Sequence, residues 1–193
     1  MLKNVKGWLK KSHQQGANSA LPTRPTSSPL VPAAEEDIEG FLTAVTQANK
    51  QGNSPWIMRD DNAIATLRRA LEYTVHRGVW LQPINGSVAH WQGRLLALKL
   101  SEDPPVGMVL LCRADEEAAW QLRFFYIQHE RQGRQYGARL LTATRATLNG
   151  EPLQTRVPLA CHAAIKTLEA AGFERRHVDA YDVAIYEATA AWN

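Results

Sequence analysis

The sequence predicts an α/β (α+β) domain built on a mixed, largely antiparallel central sheet with helices packed against it. Three observations carry this expectation. Two stretches with apolar residues at helical spacing come first. Three strand-like runs joined by short polar connectors follow. Helix-like and strand-like stretches then alternate to the C-terminus, which makes the sheet mixed.

Ile38, Phe41, Leu42 and Val45 make one apolar helical face, which Gly52 stops. Asp60, Asp61 and Asn62 supply capping side chains for a second helix, where Ile64, Leu67, Leu71 and Val75 recur until Gly78 ends it. Residues 79–93 contain Pro83, an Asn85-Gly86 turn and Gly93, which predict a short strand and an irregular connection. The runs RLLALKL (94–100), VGMVLLCR (106–113) and WQLRFFYI (120–127) read as strands. The connectors SEDPP and ADEEAA are turn-like and make them an antiparallel meander. A helix over 137–148, with Leu140, Leu141, Thr144 and Leu148 on one face, is closed by Asn149-Gly150. A strand (LQTRVPLA), a helix over 162–171 ending at Gly172, and one or two strands in FERRHVDAYDVAIYEA complete the order, and no internal repeat is present.

The chain has 193 residues and 45% hydrophobic content, enough for one domain and an appendage. Residues 1–12 carry Met1, Leu2, Val5, Trp8 and Leu9 among lysines, a basic amphipathic segment. It is suited to an anionic membrane or a protein partner, or is simply a frayed basic terminus. Residues 13–34 are rich in Pro and Ser and read as a disordered linker, so the folded domain is expected at 35–193. The net charge is +3, but five cations and no acid fall in residues 1–34, leaving −2 for the rest. A pI near 9 is therefore a property of the tail and gives no strong nucleic-acid signal. Cys112 and Cys161 suggest neither a disulfide framework nor a metal site. No run of about eighteen apolar residues and no secretory leader are seen, so a reducing, cytoplasmic setting is expected.

The segment QHERQGRQYGARLL (128–141) joins the strand 120–127 to the next helix. Helix N-termini leave backbone N–H groups unpaired at the positive end of the helix dipole, and glycine lets a ligand come close. Arg131, Arg134 and Arg139 add cations. Two readings fit these residues: a phosphate-binding loop, or a strand-to-helix turn with solvated arginines. Spacing excludes a P-loop, since Ala138 follows Gly137, and excludes the G-x-G-x-x-G dinucleotide fingerprint.

Gln132 to Gly137 (QGRQYG) resembles the [Q/R]-x-x-G-x-[G/A] acyl-CoA loop of the GNAT superfamily of N-acyltransferases, with Gln135 at the place of the central glycine. Cys161 to Phe173 resembles that family's N-x-x-A-x-x-x-Y-x-x-x-G-F helix: Ala164, Gly172 and Phe173 fit, while Cys161 and Leu168 replace the asparagine and tyrosine. The resemblance implies a GNAT-like fold and transfer of an acetyl or other acyl group from acetyl-CoA to a primary amine, on a small molecule or a protein. It implies that the loop Gln132, Gly133, Arg134, Gln135, Tyr136, Gly137 and Ala138 holds the pyrophosphate, and that Phe125, Tyr126 and Ile127 pair with the pantetheine. No metal is implied.

Such a transfer needs a proton acceptor for the amine and benefits from a donor for the leaving thiolate. The strand 120–127 has no acid, and the helix tyrosine is Leu168. Tyr126, His129, Cys161 and His162 are the remaining candidates, each with an ordinary structural role as the alternative. The aromatics Trp120, Phe124, Phe125 and Tyr126 suit an acceptor pocket or a core. Asp115-Glu116-Glu117 and Arg175-Arg176-His177 suit charged partners or solvated turns and edges. The departures at Gln135, Cys161 and Leu168 keep a second expectation open, a catalytically weak acyl-CoA-binding or interaction module.

Overall fold

The computed structural model describes residues 30–100 and 104–188. The amphipathic segment 1–12 and most of the linker 13–34 lie outside the described residues. In chain order the elements are β1 (Leu30–Pro32), α1 (Ile38–Lys50), α2 (Asp61–Arg77), β2 (Val79–Ile84), β3 (Ser87–Leu98), β4 (Gly107–Arg113), β5 (Trp120–Ile127), α3 (Tyr136–Thr147), β6 (Leu153–Pro158), α4 (His162–Ala170), β7 (Glu174–Val178) and β8 (Val183–Ala188). The sheet runs β1-β3-β4-β5-β6-β8-β7, with β2 also on β3. Only β5 and β6 are parallel among its described pairs.

Local signals act where the sequence placed them. Asp60 Oδ1 accepts the Ala63 N–H at 2.8 Å and starts α2. Gly78 closes the helix in the left-handed region at φ 65°. Ile38, Phe41, Leu42 and Val45 are the buried face of α1.

Two expectations are corrected. Residues 79–93 form a regular hairpin and not an irregular connection: Val79 pairs with Gln92 through to Ile84 with Ser87. Asn85 (φ 47°) and Gly86 (φ 81°) give the two left-handed residues a tight hairpin turn needs. Pro83 is tolerated because β2 pairs with β3 alone. The linker boundary also moves, because Leu30–Pro32 pairs antiparallel with Leu96–Leu98 before residue 35 is reached.

The sheet separates two cores. Val109 and Leu111 of β4 join α3 and α4 residues such as Leu140, Leu141 and Leu168. Met108, Leu110 and Cys112 join Phe41, Val45, Leu67 and Leu71 of α1 and α2. Covered on both faces, β4 is wholly buried, hence its almost unbroken apolar sequence.

β5 is pinned at its start. Trp120 Nε1–H donates to Glu151 Oε2 at 2.6 Å, and Arg113 donates to Glu151 Oε1 at 3.0 Å. The guanidinium groups of Arg94 and Arg113 lie over the Trp120 ring, with centroid distances of 4.6 and 4.7 Å. The Trp120 hydrogen bond, then those and the charge of Arg113, hold the Glu151 carboxyl below its usual range despite some opposing desolvation. Glu151 thus stabilises the fold above the ordinary carboxylate pKa, and this is lost as pH falls through its depressed value. Glu151→Gln is expected to cost about 1 kcal/mol at neutral pH, since Glu151 is solvent-screened. Denaturant midpoints measured from pH 7 down to pH 3 should converge for variant and wild type at the acid end.

Candidate active site

β5 and β6 begin side by side and then part. Their register is Trp120 with Leu153 and Gln121 with Gln154. The buried Thr155 hydroxyl donates to the Leu122 carbonyl at 2.9 Å, the last bridge between them. The cause of the parting is a bulge: Leu110 faces Phe124 and Leu111 faces Leu122, so Arg123 is an extra residue on β5. A bulge bends its strand and increases the twist. Beyond it β5 remains tied to β4, and Gln128 N–H still reaches Val106 O at 2.9 Å. Strand alternation from that bond turns the backbone groups of Phe125 and Ile127 toward the gap.

The gap opens into a cleft of about 1250 Å³. Its walls are α1, the end of β5, the loop 128–138, the end of β6 and the start of α4. Phe125, Tyr126, Ile127, Gln132, Gly133, Gln135, Tyr136, Gly137 and Ala138 all line it, as do His129, Cys161 and His162. Arg134 is exposed and is not among the lining residues.

The loop is built for an uncapped helix start. His129–Arg131 makes one 3-10 turn, and Gln132 N–H bonds back to His129 O at 3.2 Å. The Gln132 side-chain amide donates to Ile127 O at 3.1 Å, bracing the loop on the strand. Gly133 (φ 72°) and Gln135 (φ 61°) are both left-handed. Gln135 therefore keeps the conformation that a glycine would adopt freely, at a cost of about 1 kcal/mol. The N–H groups of Tyr136, Gly137 and Ala138 precede the first bond of α3, Arg139 N–H to Gln135 O at 3.1 Å. The Gln135 side chain does not cap them, and the first turn carries no acid. These groups fit an anion.

Gly137 has a packing reason that the loop reading missed. A Cβ there would lie 2.7 Å from Thr167 Cγ2, so glycine lets α3 approach α4. Gly137→Ala is expected to cost about 1–2 kcal/mol. Thr167→Ser, which removes Cγ2, should recover most of that cost in the double variant. Chemical denaturation of all four proteins measures the coupling.

The candidate proton-transfer groups differ in chemistry. Tyr126 is half-buried beside Phe41, and an ideal Cβ at Gly40 would sit 3.3 Å from its hydroxyl. Burial and then the Asp37 charge push its pKa up to about 12. It is a hydrogen-bond donor at neutral pH, not a base. Burial also raises the Cys161 thiol, whose sulfur lies 3.2 Å from Asn53 Oδ1. His162 is exposed at the start of α4, and His129 is exposed in the loop. Leu168 is fully buried in the core, so α4 turns Thr167 toward the cleft.

Other charged clusters resolve as surface features. Asp115 Oδ1 accepts the N–H groups of Glu117 and Ala118 within an exposed turn. Arg176 pairs with Glu174 on its own strand β7 and with Glu187 on β8. Trp120 and Phe124 are core, while Phe124, Phe125 and Tyr126 present edges to the cleft. Arg123, Thr155, Thr167 and the α1 stripe Gly40, Thr43, Ala44 and Gln47 also line it and were not foreseen. The α1 stripe lies off the Phe41 and Val45 face, where the amphipathic pattern marks only a polar side.

No protein-family signature and no curated protein sequence matches the chain. Solved structures do. A spermidine N-acetyltransferase from Vibrio cholerae in complex with CoA and spermine superposes with a TM-score of 0.61 at 13% identity, covering 83% of this chain and 94% of that one. RimL, a ribosomal L7/L12 alpha-N-protein acetyltransferase in complex with coenzyme A, gives 0.60 at 13%, covering 86% and 96%. The chain has the GNAT acetyltransferase fold. AAC(6')-Ib in complex with ribostamycin and coenzyme A gives 0.57 at 15%, covering 83% and 92%. The splayed strands and the loop before α3 thus belong to a GNAT-fold scaffold that holds across very different sequences. Among the described residues no helix is long and apolar enough to cross a membrane. No group of three or more His, Cys, Asp or Glu among them is placed to hold a metal ion.

Proposed function

We propose that the protein is an N-acetyltransferase that moves an acetyl group from acetyl-CoA to a primary amine by direct attack. The observation that carries this reading is the convergence of an uncapped helix start and an unpaired strand edge on one cleft. The structural neighbours crystallised with coenzyme A support it.

Acetyl-CoA supplies an acetyl group activated as a thioester. The N–H groups of residues 133–138 bind the pyrophosphate oxygens, with Arg134 contributing charge from outside the cleft wall. The free edge of Phe125–Ile127 takes the pantetheine as an added strand, and its N–H groups polarise the thioester carbonyl. The α1 wall and the aromatic edges of Phe124 and Tyr126 position the amine. The amine nitrogen forms the new C–N bond as the C–S bond breaks, and the sulfur leaves with the electron pair. One proton goes from the amine to a base and one reaches the thiolate, giving the amide and free CoA. Imidazole suits the base, and His129 and His162 both line the cleft. Tyr126, protonated at neutral pH, donates a hydrogen bond to the leaving sulfur. Cys161 is protonated as well, so no acyl-cysteine step is needed. With two cysteines and no disulfide framework, we place the protein in the reducing cytoplasm.

The test is thiol release from acetyl-CoA against a panel of primary amines, with Cys161→Ala beside the wild type. Amine-dependent release retained in Cys161→Ala supports direct transfer. Release abolished by that change in a folded protein contradicts it. Acetyl-CoA binding without transfer to any amine would identify an acyl-CoA-binding module instead.

A further inference from the structure

We infer that the amine acceptor carries an oxyanion, a carboxylate or a phosphate, and that Arg123 is the side chain that receives it. The inference rests on the acetyl-transfer reading above and goes on to name the acceptor's class. Two observations lead to it.

The first is the charge of the cleft. Among its described lining residues Glu130 is the one acid, and it lies in the loop next to the helix start. The cations are Arg123, Arg131, Arg156 and Lys166, with His129 and His162 beside them. The wall on the α1 side is neutral and polar, with Thr43, Gln47, Gln51, Asn53 and Ser54. Asp37, whose charge acts on Tyr126, is buried, takes the Lys99 ammonium at 3.1 Å and does not line the cleft. Glu39 is engaged by Arg68. A polycationic acceptor would meet like charge here and no carboxylate to offset its desolvation. An amine with an anionic group meets the reverse.

The second is the state of Arg123. It is the extra residue of the β5 bulge, at the apex where β5 and β6 part. Leu122 packs with the α3 and α4 core and Phe124 with the α1 and α2 core, and Arg123 shares the latter side with Gln121. The same placement brings its charge near Cys112. Its guanidinium makes a long contact, Nη1 to Gln121 Oε1 at 3.3 Å, and its Nε is buried with no hydrogen-bond partner. A planar guanidinium fork with an unmet donor matches a carboxylate or phosphate. Of the other cations, Arg156 across the gap is already held by Asp179 at 2.5 Å, Arg131 lies in the loop before α3 and Lys166 lies on α4, which leaves Arg123 as the cation on the α1 side. Two residues of strand rise put the backbone of Arg123 about 7 Å from that of Phe125, a separation that the long arginine side chain can span toward an acceptor whose amine and anion lie a few bonds apart. Arg123 is thus a specificity-determining residue on the acceptor side.

The experiment uses the full chain, with acetyl-CoA binding measured calorimetrically in every sample. kcat/KM is measured for serine, phosphoethanolamine, ethanolamine and spermidine in wild type, Arg123→Gln and Arg123→Lys. Serine and phosphoethanolamine separate the carboxylate from the phosphate. The expected result is that at least one of them exceeds both ethanolamine and spermidine by about tenfold or more. That ratio collapses toward one in Arg123→Gln and is partly restored in Arg123→Lys. A merely structural arginine would lower all four substrates together and leave the ratio in place. Preference for spermidine or ethanolamine, a ratio that survives Arg123→Gln, or failure of both anionic amines with acetyl-CoA bound overturns the inference. Failure of acetyl-CoA itself to bind overturns the transfer reading, and this inference with it.

Discussion

Gln135→Asp is expected to stabilise the fold and to weaken acetyl-CoA binding about thirtyfold. Gln135 sits at the start of α3 in the left-handed region, with no acid in the first turn. Asp tolerates that conformation, and a carboxylate at a helix start gains about 0.3–1 kcal/mol from the helix dipole. The same carboxylate occupies the region that the proposed function gives to the pyrophosphate. Two unit charges about 4 Å apart repel by about 4 kcal/mol near a protein surface. Salt screening leaves roughly half, about a thirtyfold loss of affinity. The two effects have opposite signs, so a general folding defect cannot imitate them. Denaturant midpoints and calorimetric titrations of the two proteins measure both, and unchanged affinity in a stabilised variant would remove the loop from the binding site.

Gly107→Val is expected to damage stability and site together. A Cβ at Gly107 would lie 2.4 Å from the Tyr126 carbonyl oxygen and 2.5 Å from Ile127 Cδ1. Gly107 pairs with Ile127 at the end of the sheet that borders the cleft. The contact is with backbone, which cannot swing aside as a side chain can, so the strands must separate. The expected cost is about 3 kcal/mol or more. Gly133 is the contrast: its Cβ would meet nothing within 4 Å. Gly133→Ala carries only the left-handed penalty of about 1 kcal/mol. Thermal melts that rank Gly133→Ala below Gly107→Val in stability would contradict this view of the β4–β5 end.

Much of the fold was legible because its signals are local. The Asp60 cap, the Gly78 stop, the strand 120–127 and the two later helices are short-range patterns, and the structure keeps them within a residue or so. What was not legible depends on partners far along the chain. Leu30–Pro32 is too short for any periodicity and lies in proline-rich sequence, yet the free edge of β3 takes it up. Pro83 and Gly93 read as breakers. Pro83 is harmless on an edge strand, and Gly93 is needed because a Cβ there would lie 2.9 Å from Trp80 N.

The site divides in the same way. The loop 132–138 announced itself through glycine placement before a helix, and it does line the cleft apart from Arg134. The bulge at Arg123 was invisible, since WQLRFFYI runs as an ordinary apolar strand and the extra residue is counted only against β4. Gly137, read from the sequence as a ligand-binding glycine, lines the cleft and also has a packing role against Thr167 that the sequence did not reveal. Leu168 marks the position of a missing acid in the motif, and its burial shows that it belongs to the core here.

The central claim is that the cleft between β5, β6 and the start of α3 binds acetyl-CoA. The most direct measurement is an isothermal titration of the full chain with acetyl-CoA. Saturable one-to-one binding that weakens as salt rises, as contacts to phosphate require, is the predicted result. A folded chain that takes up no heat at millimolar acetyl-CoA, or binds it with no salt dependence, would contradict the account.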